Sequence, residues 1–176
     1  MIKLTGGTLR GRALAAEVPE GVRPTSSRTR EALFSILGQD LSDVSFLDAF
    51  GGSGATALEA YSRGASPVIV VEKNPTARAV IGTNAAAFKA PLDLRNMDAA
   101  GLVSAEGVAL TQADVVYLDP PFDQEIGPWV TRLGPCALHV LVAEARTGAV
   151  FPETAGELPL DRVRTYGDST LAVYRR

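Results

Sequence analysis

The sequence predicts an α/β fold, an open and mostly parallel sheet with helices on both faces. Three observations predict it. Five short apolar runs of strand length are separated by stretches long enough for helical crossovers. The first run, within Val44–Gly54 (VSFLDAFGGSG), passes straight into a glycine-rich turn and then a helix. Three of the runs end on an acid, namely Asp48, Glu72 and Asp119.

The chain has 176 residues, which suggests one domain with a small extension: residues 1–22 as a hairpin and linker, 23–176 as the main domain. A hydrophobic content of 46% supports a sizeable core without staples. Cys136 is the single cysteine, so no intrachain disulfide is expected and the chain suits a reducing compartment, the cytoplasm. It leads into the apolar run Ala137–Ala143 and reads as a buried structural thiol. His139, in the same run, reads as a core or surface histidine. One Cys and one His predict no metal site. Met1–Leu9 lacks the long apolar core of a signal peptide, and no run approaches the ~18 apolar residues of a membrane span.

Charge is more informative by region than in total. The chain carries −3, which excludes a uniformly basic nucleic-acid binder. Residues 1–30 hold six cations (Lys3, Arg10, Arg12, Arg23, Arg28, Arg30) against Glu17 and Glu20, so they carry +4 and the rest −7. A positive end on an acidic body predicts a localised anionic partner.

In chain order, Ile2–Leu14 predicts a β-hairpin turning at Gly6-Gly7. A two-residue turn pairs Thr5 with Thr8, Leu4 with Leu9 and Lys3 with Arg10. That register gathers Lys3, Arg10 and Arg12 on one face, where like charges repel unless an anionic backbone neutralises them. A one-residue slip scatters them. After the linker Ala15–Val22, Thr25 or Ser26 can cap a helix running to about Leu37. Its apolar face is Thr29, Ala32, Leu33, Ile36 and Leu37. Arg28 and Arg30 flank that face about 160° apart, so they cannot share one small pocket, and at least one is expected to grip a phosphate or a neighbouring carboxylate.

The glycine turn follows the first strand. Glycines let a backbone pass close to a ligand, and the N–H groups opening the helix Ala55–Arg63 face whatever sits at its mouth. This is how an open α/β sheet holds a nucleotide-like cofactor. Pro67–Val71 predicts the second strand, ended by Glu72. Glu72 lies 18 residues past Gly54, close to the spacing of an acid that accepts both hydroxyl protons of a ribose. Asn74-Pro75 starts a helix through about Phe88, and Leu92–Arg95 is a short third strand. Asp98 next to Ala99 can be a helix N-cap or a cofactor contact. Ala113–Leu118 is a clean apolar strand running into Asp119-Pro120-Pro121-Phe122. Glu125–Leu133 predicts a helix, Ala137–Ala143 a fifth strand and Thr147–Leu158 a loop. Arg162–Tyr166 and Thr170–Tyr174 flank Gly167-Asp168 as a closing antiparallel hairpin.

The glycine motif alone is ambiguous, since Gly52-Ser53-Gly54-Ala55-Thr56-Ala57 also satisfies a relaxed dinucleotide pattern. A bare Pro-Pro pair can simply end a strand. Together, D-x-F-x-G-S-G (Asp48–Gly54) and DPPF (Asp119–Phe122) resemble the S-adenosylmethionine-dependent amino-methyltransferases, in which such a tetrapeptide holds an amine. The chemistry accounts for the residue types. An exocyclic amine on a base is a poor nucleophile because its lone pair is delocalised into the ring. The Asp119 carboxylate and the Pro120 carbonyl can accept its hydrogens and favour a pyramidal nitrogen. Two prolines preorganise these acceptors, and Phe122 offers a face for a flipped base.

The resemblance then extends over nearly the whole chain. GGTLRGR (Gly6–Arg12), RPTSSRTREALF (Arg23–Phe34), LDAFGGSGA (Leu47–Ala55), LEAYSRGA (Leu58–Ala65) and LDPPF (Leu118–Phe122) are similar to the RsmD-type 16S rRNA (guanine-N2)-methyltransferases of bacteria. The RPT…R-x-R-E-A-L-F stretch is the most distinctive. The resemblance implies a Rossmann-like class I methyltransferase, with a mostly parallel seven-stranded sheet and an N-terminal hairpin extension. It implies S-adenosyl-L-methionine as donor and a guanine of 16S rRNA in the small ribosomal subunit as acceptor; a monomer needing neither metal nor membrane is a separate expectation. By position, Asp48, Ala49, Phe50, Gly51, Gly52, Gly54, Glu72, Lys73, Asp98 and Ala99 hold the cofactor. Asp119, Pro120, Pro121 and Phe122 are catalytic. Lys3, Arg10, Arg12, Arg23, Thr25, Arg28 and Arg30 face RNA. Gly51 departs from the family's usual Ala and is expected to be harmless, adding only freedom to a glycine turn.

Three rivals remain. A DNA adenine-N6 or protein glutamine-N5 methyltransferase shares the sheet, but its target-recognition segment has little room here. A nicotinamide-dependent oxidoreductase leaves DPPF unexplained. A non-catalytic RNA-binding module leaves an intact DPPF without use.

Overall fold

A computed structural model describes residues 1–17 and 26–176. The expected boundary at residue 22, Arg23 and Thr25 lie outside the described residues. The chain divides into two compact units, Met1–Met97 and Asp98–Arg176. None of the described helices is long and apolar enough to cross a membrane.

The first unit holds helix α1 (Ser27–Leu37), strand β1 (Phe46–Asp48), helix α2 (Ala55–Ser62), strand β2 (Val68–Val71), helix α3 (Pro75–Phe88) and strand β3 (Asp93–Arg95). Its strands are parallel, with β2 between β1 and β3: Ile69 pairs with Leu47, and Val70 with Leu94. β1 and β2 are buried throughout, as strands covered on both faces must be. The helix starts follow from capping chemistry. Ser26 Oγ accepts from Thr29 N at 3.0 Å. Asn74 Oδ1 accepts from Thr76 N and Ala77 N at 2.9 and 3.1 Å, with Pro75 as the first helical residue.

The second unit holds β4 (Ala113–Leu118), α4 (Ile126–Leu133), β5 (Ala137–Arg146), β6 (Thr154–Ala155), β7 (Leu158–Tyr166) and β8 (Ser169–Arg175). β4 and β5 are parallel, whereas β5–β8, β8–β7 and β7–β6 are antiparallel. α4 buries Ile126, Val130 and Leu133, one stripe at helical spacing. The closing hairpin turns at Gly167-Asp168 as expected, pairing Tyr166 with Ser169.

The sheet therefore has eight strands and mixed polarity rather than the mostly parallel seven expected. The extra strand is β6, inside the stretch predicted as a loop. Two residues carry no periodicity, and β6 forms because Thr154 and Ala155 pair back onto Pro159 and Leu158. Gly134 makes room for it, since a Cβ there would stand 2.3 Å from the Gly156 nitrogen.

The N-terminal segment also differs from the expected hairpin. Lys3 pairs with Ala13 in an isolated bridge, not with Arg10, and Leu14 N donates to Ile2 O at 2.9 Å. Gly6-Gly7 does not form a two-residue turn. It docks on the end of α2, where Thr8 N donates to Ser62 O at 2.8 Å, Leu9 N to Ser62 Oγ at 2.8 Å, and Ser62 Oγ to Gly6 O at 2.7 Å. A Cβ on Gly7 would sit 2.0 Å from Ser62 O, so the glycines serve close approach. Leu4, Leu9 and Leu14 of this strap pack with Leu58 and Phe88 of α2 and α3, while Lys3, Arg10 and Arg12 stay exposed. Arg12 lies over the Phe88 ring, 4.6 Å from its centroid.

Candidate functional site

In the first unit, the glycine turn sits between β1 and α2 as expected. Gly51 N donates to Val71 O at 2.9 Å, and Gly54 N turns back to Gly51 O at 2.7 Å. Gly52 and Gly54 have φ of 53° and 79°, the left-handed region that favours glycine. Gly54 is the N-cap of α2 and brings no side chain to that helix end. Gly51 is different. It lacks a positive φ, and a Cβ on it would lie 2.6 Å from Val70 Cγ1 and 2.8 Å from Ile81 Cδ1. The expectation that Gly51 merely adds freedom is therefore corrected: β2 and α3 occupy the space an alanine methyl needs. Gly51→Ala is expected to cost about 1–3 kcal/mol in chemical denaturation, with Ile81→Val in the same chain recovering part of it. Equal stability of Gly51→Ala and the wild type would refute this packing argument.

Glu72 is brought onto the turn from 20 residues away. Its Oε2 accepts from Gly52 N at 3.0 Å and its Oε1 from Asn74 N at 2.7 Å. The half-buried carboxylate is thus oriented by two backbone donors before any ligand arrives. Lys73 and Ala49 flank the turn, Lys73 exposed and Ala49 buried, and Phe50 is half-buried.

Asp48 is 1% exposed. Burial pushes its carboxyl up to about 7; the Phe50 N–H, 3.2 Å from Oδ1, pulls it down, and the Glu72 charge adds to the rise. The unfolded chain ionises Asp48 near 3.8, whereas the folded chain keeps the proton until about 7. Unfolding releases a proton between these limits, so Asp48 lowers stability as pH rises from about 4 to about 7, with a plateau above. Asp48→Asn removes this slope. We expect it to gain on the order of 3 kcal/mol over the wild type between pH 4 and pH 8 in urea titrations. Parallel pH profiles for the two proteins would contradict the burial argument.

In the second unit, Asp98 is exposed and caps the 3₁₀ turn Ala99–Leu102, its Oδ1 accepting from Ala100 N at 2.9 Å. The capping alternative is realised, and the cap orients the carboxylate. Asp119-Pro120-Pro121-Phe122 directly follows β4. Asp119 and Phe122 are half-buried, Pro120 is buried and Pro121 exposed. The neighbouring β5 ends in Arg146, whose guanidinium carbon lies 5.5 Å from the Phe122 ring centroid. Sequence reading missed Arg146, because an arginine ending a strand has no local signature. Behind this end, Tyr117 Oη donates to Glu144 Oε2, both side chains buried.

Among the basic candidates, Lys3, Arg10, Arg12 and Arg28 are exposed. Arg30 is not, and its expected contact with RNA is corrected. It is 0% exposed, with Nε 2.7 Å from Glu59 Oε2 and Nη2 2.6 Å from Lys3 O. The physical reason is Phe34, one turn on, which is fully buried and rotates the inward face of α1 toward Arg30. Arg30 takes the carboxylate that the wheel argument allowed for at least one of the two arginines. Cys136 is buried as expected, its thiol pushed up to about 11 by burial. His139 lies at the surface, 3.5 Å from Asp114 Oδ1.

The comparisons with known proteins agree with this layout. The family described as conserved hypothetical protein 95 matches residues 2–175. The ribosomal RNA small subunit methyltransferase D of Escherichia coli is 37% identical over 186 aligned positions, covering 99% of this chain and 90% of that one. A hypothetical protein of Thermus thermophilus superposes with a TM-score of 0.85 at 25% identity, covering all of both chains. The fold, though not the sequence, is shared with the 16S rRNA N2 G1207 methyltransferase RsmC of T. thermophilus, solved with AdoMet and guanosine: TM-score 0.69, 16% identity, 89% of this chain and 45% of that one. The α/β fold is accordingly methyltransferase-like, and the chain belongs to the conserved hypothetical protein 95 family, that of the RsmD-type rRNA methyltransferases.

Proposed function

We propose that this chain transfers a methyl group from S-adenosyl-L-methionine to the exocyclic N2 of a guanine in 16S rRNA of the small ribosomal subunit. The observation that carries this reading is the DPPF tetrapeptide directly following β4 in a chain 37% identical to E. coli ribosomal RNA small subunit methyltransferase D. An rRNA substrate puts the work in the cytoplasm.

The residues present fit the donor. Glu72, held by two backbone N–H groups, has the acceptor capacity for two ribose hydroxyls, and Gly52 and Gly54 take the left-handed conformations of a close-approach loop. Asp48, Ala49, Phe50 and Gly51 complete the turn, with Lys73, Asp98 and Ala99 at the adenosine. When bound, S-adenosylmethionine supplies an electrophilic methyl group on a sulfonium. Asp119 and the Pro120 carbonyl accept from the guanine amine and turn its lone pair outward, and Phe122 stacks on the base. Transfer is a direct in-line displacement. Catalysis comes mainly from alignment and from these fixed acceptors, and the amine proton leaves to water afterwards. Lys3, Arg10, Arg12 and Arg28 contact RNA phosphates, and Arg23 and Thr25 are assigned to RNA by the family resemblance alone.

The test is tritium transfer from labelled S-adenosylmethionine to small ribosomal subunits, naked 16S rRNA and duplex DNA side by side. Label on an RNA guanine supports the reading, and the better RNA substrate dates the step in assembly. Label on DNA adenine, or on none of the three, overturns it.

A further inference from the structure

Among the described residues of the second unit, Arg146 and Arg164 are the two arginines without a polar side-chain partner, and of these Arg146 lies beside the DPPF tetrapeptide. Arg162, Arg175 and Arg176 pair with Asp161 or Glu157, and Arg132 donates to Ala100 O at 3.0 Å. Arg146 is exposed, and among the described residues no carboxylate pairs with it. Its side-chain contact is the Phe122 ring. Its backbone is tightly fixed. Arg146 pairs with Ser169, Ala149 N donates to Arg146 O at 3.1 Å, and Thr147 bonds Asp168 O through N at 3.0 Å and Gly167 O through Oγ1 at 3.1 Å. A long flexible cation is thus launched from a rigid strand end and laid against the last residue of DPPF.

We infer that Arg146 is a substrate-positioning residue that binds an RNA phosphodiester beside the nucleotide whose base DPPF receives. The inference rests on the proposed function. Its physical basis is that a guanidinium over an aromatic ring keeps its N–H fork available at the ring edge, and a planar fork suits a phosphate. Phosphate contacts fix register on the nucleic acid without reading its sequence. The role is therefore in docking, not in the chemical step.

The test compares Arg146→Ala, Arg146→Lys and Arg146→Met with the wild type, using methyl transfer to small ribosomal subunits or 16S rRNA across a KCl series. Arg146→Ala is expected to raise KM for RNA about 3- to 10-fold with kcat within about twofold, and to flatten the slope of log kcat/KM against log salt by about one. Arg146→Lys keeps the wild-type slope. Arg146→Met, which still covers Phe122, loses it. If Arg146 only shields Phe122, Met rescues and all slopes match, which overturns the inference. Weaker S-adenosylmethionine binding by calorimetry in the Ala variant also overturns it, because the residue would then serve the cofactor. A wild-type protein that methylates neither RNA overturns the proposed function and this inference with it.

Discussion

Asp119→Ala lowers methyl transfer by about 10³-fold and leaves the affinity for S-adenosylmethionine within about twofold. The size of the effect follows from where the proposed carboxylate acts. Guanine N2 is nucleophilic only when its lone pair leaves conjugation with the ring, so acceptors aimed at its hydrogens work in the transition state more than in the bound substrate. Asp119 directly follows β4, whose residues Val115–Leu118 are buried, and it precedes the buried Pro120. The acceptors then need no reorganisation when charge develops on nitrogen. Asp119→Asn keeps one acceptor oxygen but loses the charge, so an intermediate loss is expected. KM for RNA should change little in both variants, because the acceptors are spent on the transition state. Collapse of cofactor binding in calorimetry, with kcat restored by saturating donor, would move Asp119 from the amine to the cofactor and sink the assignment.

The parts of the molecule legible in the sequence are those whose physics is local. Ala113–Leu118 is apolar at every position but Asp114, and the strand has those bounds. Asn74-Pro75 announces a helix start by capping, and α3 begins there. Glu72 reaches Gly52 because the length of α2 and its connections fixes the separation of two parallel strand ends. Features made by long-range packing were not legible. Gly6-Gly7 looks like a turn because glycine pairs mark turns, yet here it is the close-approach surface for Ser62, more than fifty residues away. Arg30 looks like a flank of an amphipathic helix, and only the burial of Phe34 and the presence of Glu59 draw it inside. Gly51 looks permissive until Val70 and Ile81 are in place. Arg146 gains meaning from Phe122 on the adjacent strand end.

Glu59→Ala destabilises the protein by about 3–5 kcal/mol, the range for removing one partner of a buried ion pair. Glu59 is 0% exposed and lies in α2 beneath the strap. Its Oε2 accepts from Arg30 Nε at 2.7 Å and Thr5 N at 3.1 Å, and its Oε1 from Arg63 Nη2 at 2.7 Å and Thr5 Oγ1. One carboxylate thus serves two buried guanidiniums and ties the strap, α1 and α2 together. Arg63 also lies over the Phe34 ring at 4.7 Å. Among the described residues Arg30 Nη1 and Arg63 Nε already lack partners, and none of these residues offers a spare acceptor to replace Glu59. Burial pushes the Glu59 carboxyl up, but hydrogen bonds from Thr5, Arg63 and Arg30 outweigh it and hold the group below the usual carboxylate range. Its stabilisation is therefore present above the unfolded value of 4.5 and lost as pH falls through the lower folded value, opposite in sign to the slope from Asp48. The wild type should thus lose stability on both limbs, with a maximum between them. Glu59→Ala should lower the thermal midpoint by about 6–20 °C at pH 6 and flatten the acid limb, leaving the limb above it intact. Thr5→Val, which removes one donor and no charge, should cost only about 1 kcal/mol. A Glu59 variant as stable as Thr5→Val at pH 6 would show that the two arginines find water instead, and that the cluster is not what fastens the strap.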